Sequence, residues 1–207
     1  MKNYFDEDKL EAGIDEVARG CLAGPVFSAA VIWPKELDMS EEDIPIIKDS
    51  KKLTRKRRAL LRDFIEENAL DFSVAYVEPK TIDKMNILNA SHLAMHRAIK
   101  GLNITPELLL VDGNSFKPYY DDTRELIDHQ CIVEGDNKYI SIACASILAK
   151  EYHDEYIKKI CEDDPNLNIY DWQNNMCYGT ETHLNAIKKH GISKYHRKTF
   201  GICKNYV

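Results

Sequence analysis

The chain has 207 residues, of which 44% are apolar, and a formal net charge of −6 at neutral pH. This composition excludes a disordered chain and predicts one main core, or one core with a smaller appended lobe. The acidic balance excludes a protein that coats nucleic acid through its overall field, so any nucleic-acid binding must use a local basic patch.

Targeting and redox signals are few. The six cysteines form no CxxC pair and are expected to be reduced thiols. The polar N-terminal residues contain no leader pattern, and no later run has the length needed to span a bilayer. We therefore expect a soluble, cytoplasmic protein that does not contact membranes.

Apolar patterning predicts an α/β fold with a mixed five-stranded sheet flanked by helices. Thr54 is the expected N-cap of the first helix, and Gly101 and Gly191 are expected to end the second and the fourth. The predicted strands are residues 13–17, 25–33, 72–77, 107–111 and 131–133, and the predicted helices are residues 55–68, 90–102, 139–152 and 182–190. Residues 8–152 would form the main domain, and the more polar residues 153–207 a C-terminal helical lobe.

Acidic side chains stand at the ends of three predicted strands. Asp15 and Glu16 interrupt the apolar first strand, Asp112 follows the run at 107–111, and Asp136 follows the run at 131–133. Strand ends of a mixed sheet gather side chains that are distant in sequence, so these four carboxylates are expected to converge. The alternative for the Asp-Glu pair is two solvent-facing acids at a strand end.

Four converging carboxylates point to a metal-dependent reaction. Their mutual repulsion is untenable without divalent cations, and oxygen ligands suit Mg²⁺ or Mn²⁺. Two ions ~3.5–4 Å apart would suit in-line hydrolysis of a phosphodiester. Adjacent strand residues face opposite sides, so Asp15 and Glu16 can share this site only if the strand bends or bulges there.

The chain also resembles a known family over nearly its whole length. It contains, in order, GIDEVARGCLAGPV, DSKKL, MNILNASHLAMHRAI, VDG, GDNKYISIACASILAK, YGTETH and HRKTF. These motifs resemble those of the type 2 ribonucleases H (ribonuclease HII). The resemblance implies a ribonuclease H-like catalytic domain with a C-terminal lobe completing the substrate cleft. It also implies that Asp15, Glu16, Asp112 and Asp136 are catalytic residues that bind Mg²⁺ or Mn²⁺.

The implied enzyme is an endonuclease that cuts RNA in RNA–DNA hybrids and nicks duplex DNA 5′ of a single embedded ribonucleotide, leaving a 3′-hydroxyl and a 5′-phosphate. In the family a Gly-Arg-Gly turn reads the ribose 2′-hydroxyl through its backbone, and the matching residues here are Ala18, Arg19 and Gly20. Tyr178 resembles the tyrosine that stacks on the sugar beside the ribonucleotide.

Phosphate contacts are implied for a second set of residues. Ser50, Lys51 and Lys52 match a phosphate-contacting segment, and Asn86 is expected to add a further contact. Lys48, in the same loop, is also assigned to phosphate binding, whereas the arginines of the first helix are equally consistent with phosphate binding and with a solvated helix face.

The chain departs from the family pattern at several positions. Ala18 replaces the first glycine of the Gly-Arg-Gly turn, and its Cβ would be costly if the backbone there has positive φ. Cys21 stands where proline is usual, and Cys177 where glycine is usual. Asn175 and Met176 occupy the region where a lysine is common. All four acids are present, so an active enzyme is expected.

Several histidines invite a metal-site interpretation. His92 and His96 are spaced i, i+4, but no glutamate follows His92 as in HExxH, so a structural role is preferred to zinc binding. His183, His196 and Arg197 match family positions and are interpreted as packing or lobe-anchoring residues.

Two other functions compete with this interpretation. One is a four-carboxylate 3′–5′ exonuclease, and the other is a catalytically weak nucleic-acid-binding protein whose 2′-hydroxyl sensor is compromised by Ala18. In all three the partner is nucleic acid, chiefly an RNA–DNA hybrid or ribonucleotide-containing duplex DNA. A monomer without an obligate protein partner is expected, and the few residues after HRKTF are expected to hold no tail that recruits a sliding clamp.

Overall fold

The computed structural model describes residues 1–37 and 55–207, and these residues form a mixed six-stranded sheet. The strands are β1 (Glu11–Val17), β2 (Val26–Ile32), β3 (Asp71–Val77), β4 (Leu108–Asp112), β5 (Tyr119–Tyr120) and β6 (Leu126–Ile132). They lie in the order β3-β2-β1-β4-β6-β5. β4 pairs in parallel with β1 and β6, and the other neighbours are antiparallel.

The helices of the described residues cover both faces of this sheet. They are α1 (Arg55–Asn68), α2 (Pro79–Met85), α3 (Ile87–Lys100), α4 (Ile140–Asp163), α5 (Trp172–Asn175) and α6 (Glu181–His190), with 3₁₀ turns at Gly135–Asn137, Pro165–Tyr170 and Gly201–Tyr206. α4 packs on β1 and β2 from one side, and α3 packs on β2 and β3 from the other.

Residues of β2 alternate between the two faces of the sheet. Ala29 and Val31 pack in the cluster that includes α4, whereas Ala30 and Ile32 pack in the cluster that includes α3. Both faces are therefore apolar, which explains why this strand has a continuous apolar sequence instead of a polar–apolar alternation.

The predicted number of strands was wrong by one. Residues 114–130 were predicted to be without strands, but β5 pairs with the first half of β6, with Tyr119 opposite Ile127 and Tyr120 opposite Leu126. Tyr120 and Leu126 are exposed, so this edge hairpin has no buried apolar run to reveal it. Only the last residues of β6 produced a recognisable sequence signal.

Two of the four predicted helices have nearly the expected bounds, and the other two differ chiefly at one end. The helix at residues 55–68 and the helix that ends before Gly191 are confirmed. Thr54, the expected N-cap of the helix at residues 55–68, lies outside the described residues. α2 was not predicted, although Pro79 at its first turn is a helix-start signal. α3 begins at Ile87, not at residue 90, because Asn86 caps it.

α4 continues to Asp163, well beyond the predicted end at residue 152. Its C-terminal half carries Ile157 and Cys161 into a core cluster shared with α5, α6 and the residues after β1, including Cys21 and Leu22. The turn after β1 is thus packed directly into the C-terminal region. The proposed division into domains at residue 152 falls inside this continuous helix and stays a prediction.

The cysteines are all free thiols, as predicted, and all but Cys131 are buried. Within residues 1–37 and 55–207, no helix combines the length and the apolar content that crossing a membrane would require.

Gly13 allows β1 and α4 to approach each other closely. A Cβ atom at this position would overlap the backbone of Ser141 and Ile142 in the first turn of α4. Backbone atoms cannot rotate away as a side chain can, so the sheet and the helix would have to separate.

We predict that Gly13→Ala lowers the free energy of unfolding by about 1–3 kcal/mol or more, because the overlap forces a backbone shift. Chemical denaturation monitored by circular dichroism measures this change. Gly191→Ala is the matched control, since Gly191 has φ +77° but no atom of the described residues within 4 Å of where a Cβ would lie, so it reports conformational strain alone. Equal losses for the two variants would contradict the close approach.

Candidate active site

Three acidic side chains lie where β1 and β4 separate. The parallel pairing of β1 with β4 ends at Ile14 and Val111, whereas β1 continues beside β2. Asp15, Glu16 and Asp112 follow directly after this last pair and line one cavity of about 460 Å³. The separation of the two strands makes the room that these side chains occupy.

Asp15 and Glu16 reach this cavity without a bulge in the strand. The register of β1 with β2 is continuous, with Asp15 opposite Ala29 and Glu16 opposite Ser28. Asp15 contacts Ser146 of α4, whereas Glu16 also lines a smaller cavity of about 130 Å³ on the side of α3. Both carboxylates reach the same edge because the neighbouring strand has turned away, not because a residue was inserted.

Burial makes the negative charge at this edge unfavourable. Asp15 is only 6% exposed, and its burial raises its pKa well above the usual range, with further increases from Glu16 and Asp112. Burial also raises the pKa of Glu16, although Arg19, whose Nη1 lies 3.0 Å from Glu16 Oε1, opposes the shift. A bound cation would relieve this repulsion.

Asp136 is linked to this group through the neighbouring backbone. It lies in the 3₁₀ turn after β6, is 7% exposed and accepts a hydrogen bond from Asn137 Nδ2 at 3.1 Å. The N–H of Gly135 donates to Asp112 Oδ1 at 2.7 Å and so ties the two acid-bearing segments together. Asp136 does not line the cavity that holds the other three acids.

The residues fit a divalent metal by their chemistry. Asp15, Glu16 and Asp112 present only oxygen donors, which Mg²⁺ and Mn²⁺ prefer, and a bound cation would oppose the effect of burial, which raises the pKa of Asp15 and of Glu16. In the part of the chain that the structure describes, no three or more His, Cys, Asp or Glu side chains are arranged as a ready metal-binding group.

Basic and polar side chains from two helices line the same cavity. Lys150 and Ser146 of α4 are four residues apart on one helix face, and Arg58 comes from α1. Lys150 Nζ lies 2.6 Å from Asp154 Oδ1, and Arg58 Nε lies 2.7 Å from Glu151 Oε1. The sequence analysis gave Ser146 and Lys150 no functional role, although their spacing of four residues places them on one face of the predicted helix.

Arg62 has a different environment from Arg58. Its guanidinium pairs with Glu66 at 2.7 Å and with Glu155 at 2.6 Å, and it lies 3.9 Å from the centre of the Tyr152 ring. These contacts join α1 to α4. Among the helix arginines considered for phosphate binding, Arg62 is engaged in helix packing, while Arg58 borders the cavity.

The turn after β1 contains a left-handed alanine. Ala18 has φ +70° and is 2% exposed, so the condition under which its Cβ would be costly is met. A left-handed conformation costs an L-residue roughly 1–2 kcal/mol relative to its usual conformations. Buried Arg197 secures this turn by donating from Nη2 to Ala18 O at 2.8 Å, from Nη1 to Arg19 O at 3.0 Å and from Nε to Gly24 O at 2.9 Å.

The loop that carries Tyr178 is strained in the same way. Met176 and Cys177 have φ values of +48° and +66°, so the residue that replaces a usual glycine again occupies a left-handed position. The N–H of Leu22 donates to Cys177 O at 2.9 Å and joins this loop to the turn after β1. Tyr178 lines the cavity and is 39% exposed, and partial burial raises its pKa to about 12.

Two buried histidines hold the Tyr178 loop on the C-terminal region. Trp172 Nε1 donates to His183 Nε2 at 3.0 Å, which leaves Nδ1–H of His183 to donate to Tyr178 O at 2.9 Å. The N–H of Ser193 donates to His196 Nδ1 at 2.9 Å. Burial lowers the pKa of His183 and lowers that of His196 to about 3, so both rings are neutral. These contacts agree with a packing role.

Other residues with predicted roles lie apart from the cavity or outside the described residues. Asn86 has φ +70°, and its Oδ1 accepts from the N–H of Asn89 at 3.1 Å, which makes it the N-cap of α3. Ser50, Lys51 and Lys52 belong to the segment that the structure does not describe. Their expected phosphate contacts stay predictions.

His92 and His96 make contacts that suit a structural role. His92 Nε2 lies 3.2 Å from Ser115 O, and His96 Nε2 lies 2.9 Å from Lys117 O. Both rings also pack edge-on against Phe116. They fix the segment after β4 on α3, and the described residues supply no zinc-binding group around them.

The mixed sheet with its flanking helices has the ribonuclease H fold. The structure is similar to the ribonuclease H2 from Pyrococcus horikoshii OT3, with a TM-score of 0.75, 24% identity and coverage of 95% of this chain and 96% of the other. It is also similar to Bst-RNase HIII in complex with Mn²⁺, with a TM-score of 0.72, 18% identity and coverage of 95% and 68%.

Sequence comparison narrows this class to one family. A family model described as Ribonuclease HII matches residues 12–203. Relatives named Ribonuclease HII include those of Christiangramia forsetii, 50% identical with 97% of this chain and 94% of the relative covered, and Parabacteroides distasonis, 51% identical with 95% and 92% covered. The chain belongs to the ribonuclease HII family. A relative in the PCNA:RNase HII complex from Archaeoglobus fulgidus is 25% identical, with a TM-score of 0.70 and coverage of 93% and 95%.

We predict that Ala18→Gly stabilises the protein by about 0.5–1 kcal/mol, because relief of left-handed strain exceeds the extra flexibility of glycine in the unfolded chain. The melting temperature should rise by about 1–4 °C. Ala149→Gly in α4 is the matched control, since glycine inside a helix is destabilising by about 1 kcal/mol. A similar loss for both variants would show that Ala18 is not strained.

We predict that Asp15→Asn stabilises the metal-free protein at pH 7. The folded state raises the pKa of Asp15, so it binds the proton more tightly than the unfolded state, and wild-type stability should increase as pH falls from neutral towards the unfolded pKa of about 3.9. Asp15→Asn should lack this part of the pH dependence. Added Mg²⁺ should raise its melting temperature less than that of the wild type.

Thermal unfolding in EDTA and in MgCl₂ between pH 4 and 8 measures both effects. Asp128→Asn serves as the control, because Asp128 is an exposed acid with a 3.6 Å contact to Lys9 and should change stability by less than about 0.5 kcal/mol. A melting temperature of Asp15→Asn below that of the wild type in EDTA would count against buried repulsion at this site.

Proposed function

We propose that this protein is a metal-dependent endoribonuclease that hydrolyses the RNA strand of RNA–DNA hybrids. The observation that carries the proposal is the cavity lined by Asp15, Glu16 and Asp112 in a chain of the ribonuclease HII family. An acid-lined site beside basic side chains suits a reaction at a phosphodiester, whose negative charge must be neutralised before attack.

Asp15, Glu16, Asp112 and Asp136 would hold the divalent cation, Mg²⁺ or Mn²⁺. When bound, two such ions supply an activated water and stabilise the charge of the leaving 3′-oxygen. Asp15 and Glu16 provide negative charge that is costly in the absence of a cation, which favours metal binding. The Gly135 N–H, by fixing one oxygen of Asp112, limits the directions in which that carboxylate can offer its other oxygen.

Local positive charge would bring the phosphate backbone to these acids. Arg58 and Lys150 border the cavity in a chain whose net charge is −6, so they form the local basic patch that nucleic-acid binding requires. Each is oriented by an acid of α4, Glu151 for Arg58 and Asp154 for Lys150. Ser50, Lys51, Lys52 and Asn86 are proposed to add contacts to phosphates.

We further propose that the enzyme nicks duplex DNA on the 5′ side of a single embedded ribonucleotide and leaves a 3′-hydroxyl and a 5′-phosphate. The backbone of Ala18, Arg19 and Gly20 would read the 2′-hydroxyl, and the exposed part of Tyr178 would stack on the adjacent sugar. All four residues line the same cavity as the acids, which supports a shared site for recognition and cleavage.

The protein is proposed to act as a monomer. The complex of PCNA with the Archaeoglobus fulgidus relative makes a sliding clamp the first protein partner to test for this chain.

We predict that, with Mg²⁺ or Mn²⁺, the enzyme makes one nick 5′ of the ribonucleotide in a DNA duplex that contains a single ribonucleotide, and cuts an RNA–DNA hybrid internally. Denaturing electrophoresis of end-labelled strands reads out both reactions. Stepwise shortening would instead identify the 3′–5′ exonuclease, and binding without cleavage would identify the catalytically weak binding protein.

Asp112→Asn should lower cleavage of both substrates by at least about 10²-fold, because it weakens binding of the cation that stabilises charge at the reacting phosphate. Binding of the duplex, measured by fluorescence anisotropy in EDTA, should change little. Asp122→Asn is the matched control, since Asp122 is an exposed acid that pairs with Lys100 away from the cavity. Full activity of Asp112→Asn would remove Asp112 from the site.

A further inference from the structure

One buried arginine holds the carbonyl groups of the turn after β1. Arg197 is fully buried, and its guanidinium donates to the carbonyls of Ala18, Arg19 and Gly24, while its backbone N–H donates to Leu22 O at 2.8 Å. Among the described residues no carboxylate pairs with Arg197. Its charge is therefore compensated by the carbonyl dipoles of one short segment, which it orders in return.

The planarity of the peptide group turns this anchoring into a directional effect. In a trans peptide the C=O and the N–H point in opposite directions. Ala18 O shares a peptide group with the N–H of Arg19, and Arg19 O shares one with the N–H of Gly20. Because Arg197 binds both carbonyls, the two N–H groups point away from its guanidinium, and the residues that carry them, Arg19 and Gly20, line the cavity.

These two N–H groups remain available for a ligand. Within residues 1–37 and 55–207, neither the N–H of Arg19 nor that of Gly20 has an acceptor, although the turn is closed by a bond of 3.3 Å from Cys21 N–H to Ala18 O. Both residues are exposed. Two successive backbone N–H groups without a protein acceptor, beside a cavity, can together bind one oxygen atom of a ligand.

We infer that Arg197 is the positioning residue of the ribose sensor: it aims the N–H groups of Arg19 and Gly20 at the 2′-hydroxyl and keeps Ala18 in its left-handed conformation. This inference rests on the proposed recognition of single ribonucleotides. Arg197 makes no direct contact with substrate in this scheme and acts only through the peptide groups that it holds.

Because residue 18 is alanine, the turn depends more on Arg197 to keep its left-handed conformation than it would with glycine at this position. Glycine adopts φ +70° without strain, whereas alanine tends to leave this conformation and needs an external restraint. The bonds from Arg197 to Ala18 O and Arg19 O supply that restraint in the two peptide groups that follow the strained residue. The effects of changes at positions 18 and 197 should therefore be coupled.

The test uses Arg197→Lys, which keeps the charge but can reach fewer carbonyls than the planar guanidinium. We expect kcat/KM on a duplex with a single ribonucleotide to fall roughly 30-fold, which corresponds to about 2 kcal/mol, and mainly through kcat. An RNA–DNA hybrid offers a 2′-hydroxyl at every position, so a displaced turn can still meet one. On this substrate kcat/KM should fall by no more than about threefold. An equal loss on both substrates would overturn the inference.

Ile187→Ala controls for simple destabilisation of the C-terminal core. Ile187 is fully buried in the same cluster but makes no hydrogen bond to the turn, and its truncation should cost about 2–5 kcal/mol of stability. The kcat/KM values of Ile187→Ala on the single-ribonucleotide duplex and on the RNA–DNA hybrid should fall by the same factor. If Ile187→Ala changes the ratio of these two kcat/KM values as much as Arg197→Lys does, the ratio reports stability, and the positioning role of Arg197 is rejected.

A double-mutant cycle tests the coupling. Ala18→Gly should recover at least about threefold more single-ribonucleotide kcat/KM in the Arg197→Lys background than in the wild type, because glycine removes the need for the restraint. Additive effects would overturn the coupling. A wild-type enzyme that cuts hybrids but never nicks at a single ribonucleotide would defeat the proposed function instead.

A measurement on the wild-type protein keeps the inference falsifiable if Arg197→Lys does not fold. In EDTA, a duplex with one ribonucleotide should shift the amide resonances of Arg19 and Gly20 more than an all-DNA duplex of the same sequence does. Identical shifts with the two duplexes would show that these N–H groups do not sense the hydroxyl.

Discussion

The repulsion among Asp15, Glu16 and Asp112 is the constraint around which this protein is arranged. The three carboxylates meet because β4 parts from β1 after the Ile14–Val111 pair, and burial under α4 then raises the free energy of their charges. Such a site is unfavourable for the stability of the metal-free chain. It is suited to a cation and to the phosphate that the cation would draw in.

A second constraint operates on the opposite wall of the cavity. Ala18 and Cys177 both occupy left-handed conformations that favour glycine, and the segments that carry them are joined by the bond from Leu22 N–H to Cys177 O. Strain of this kind persists only where the surroundings enforce it. Here Arg197 and the neutral histidine pair supply the restraint from within the C-terminal core.

The two walls are connected by α4. Its N-terminal part packs on Gly13 of β1 and presents Ser146 and Lys150 to the cavity, while its C-terminal part, with Ile157 and Cys161, enters the core that holds the Ala18 turn. One continuous helix therefore relates the position of the acids to the position of the proposed ribose sensor.

Much of the architecture could be predicted from the sequence where burial leaves a pattern. The buried strands and the helix at residues 55–68 were predicted because apolar residues recur with the period of each element. The hairpin formed by β5 and β6 was missed since Tyr120 and Leu126 face solvent. The four acids at strand ends were conspicuous because charge is rare in or beside a buried strand.

The sequence by itself determined the chemistry that is available: oxygen donors for a cation, a turn that departs from its family at Ala18, and a chain too acidic to bind nucleic acid except locally. Only the tertiary structure decided which groups act together. Arg58, Ser146 and Lys150 border the cavity, and Arg197 restrains residues almost 180 positions earlier in the chain, because packing brings α1, α4 and the C-terminal core to one sheet edge. Contacts of that range depend on how elements pack, and no local pattern of residues encodes them.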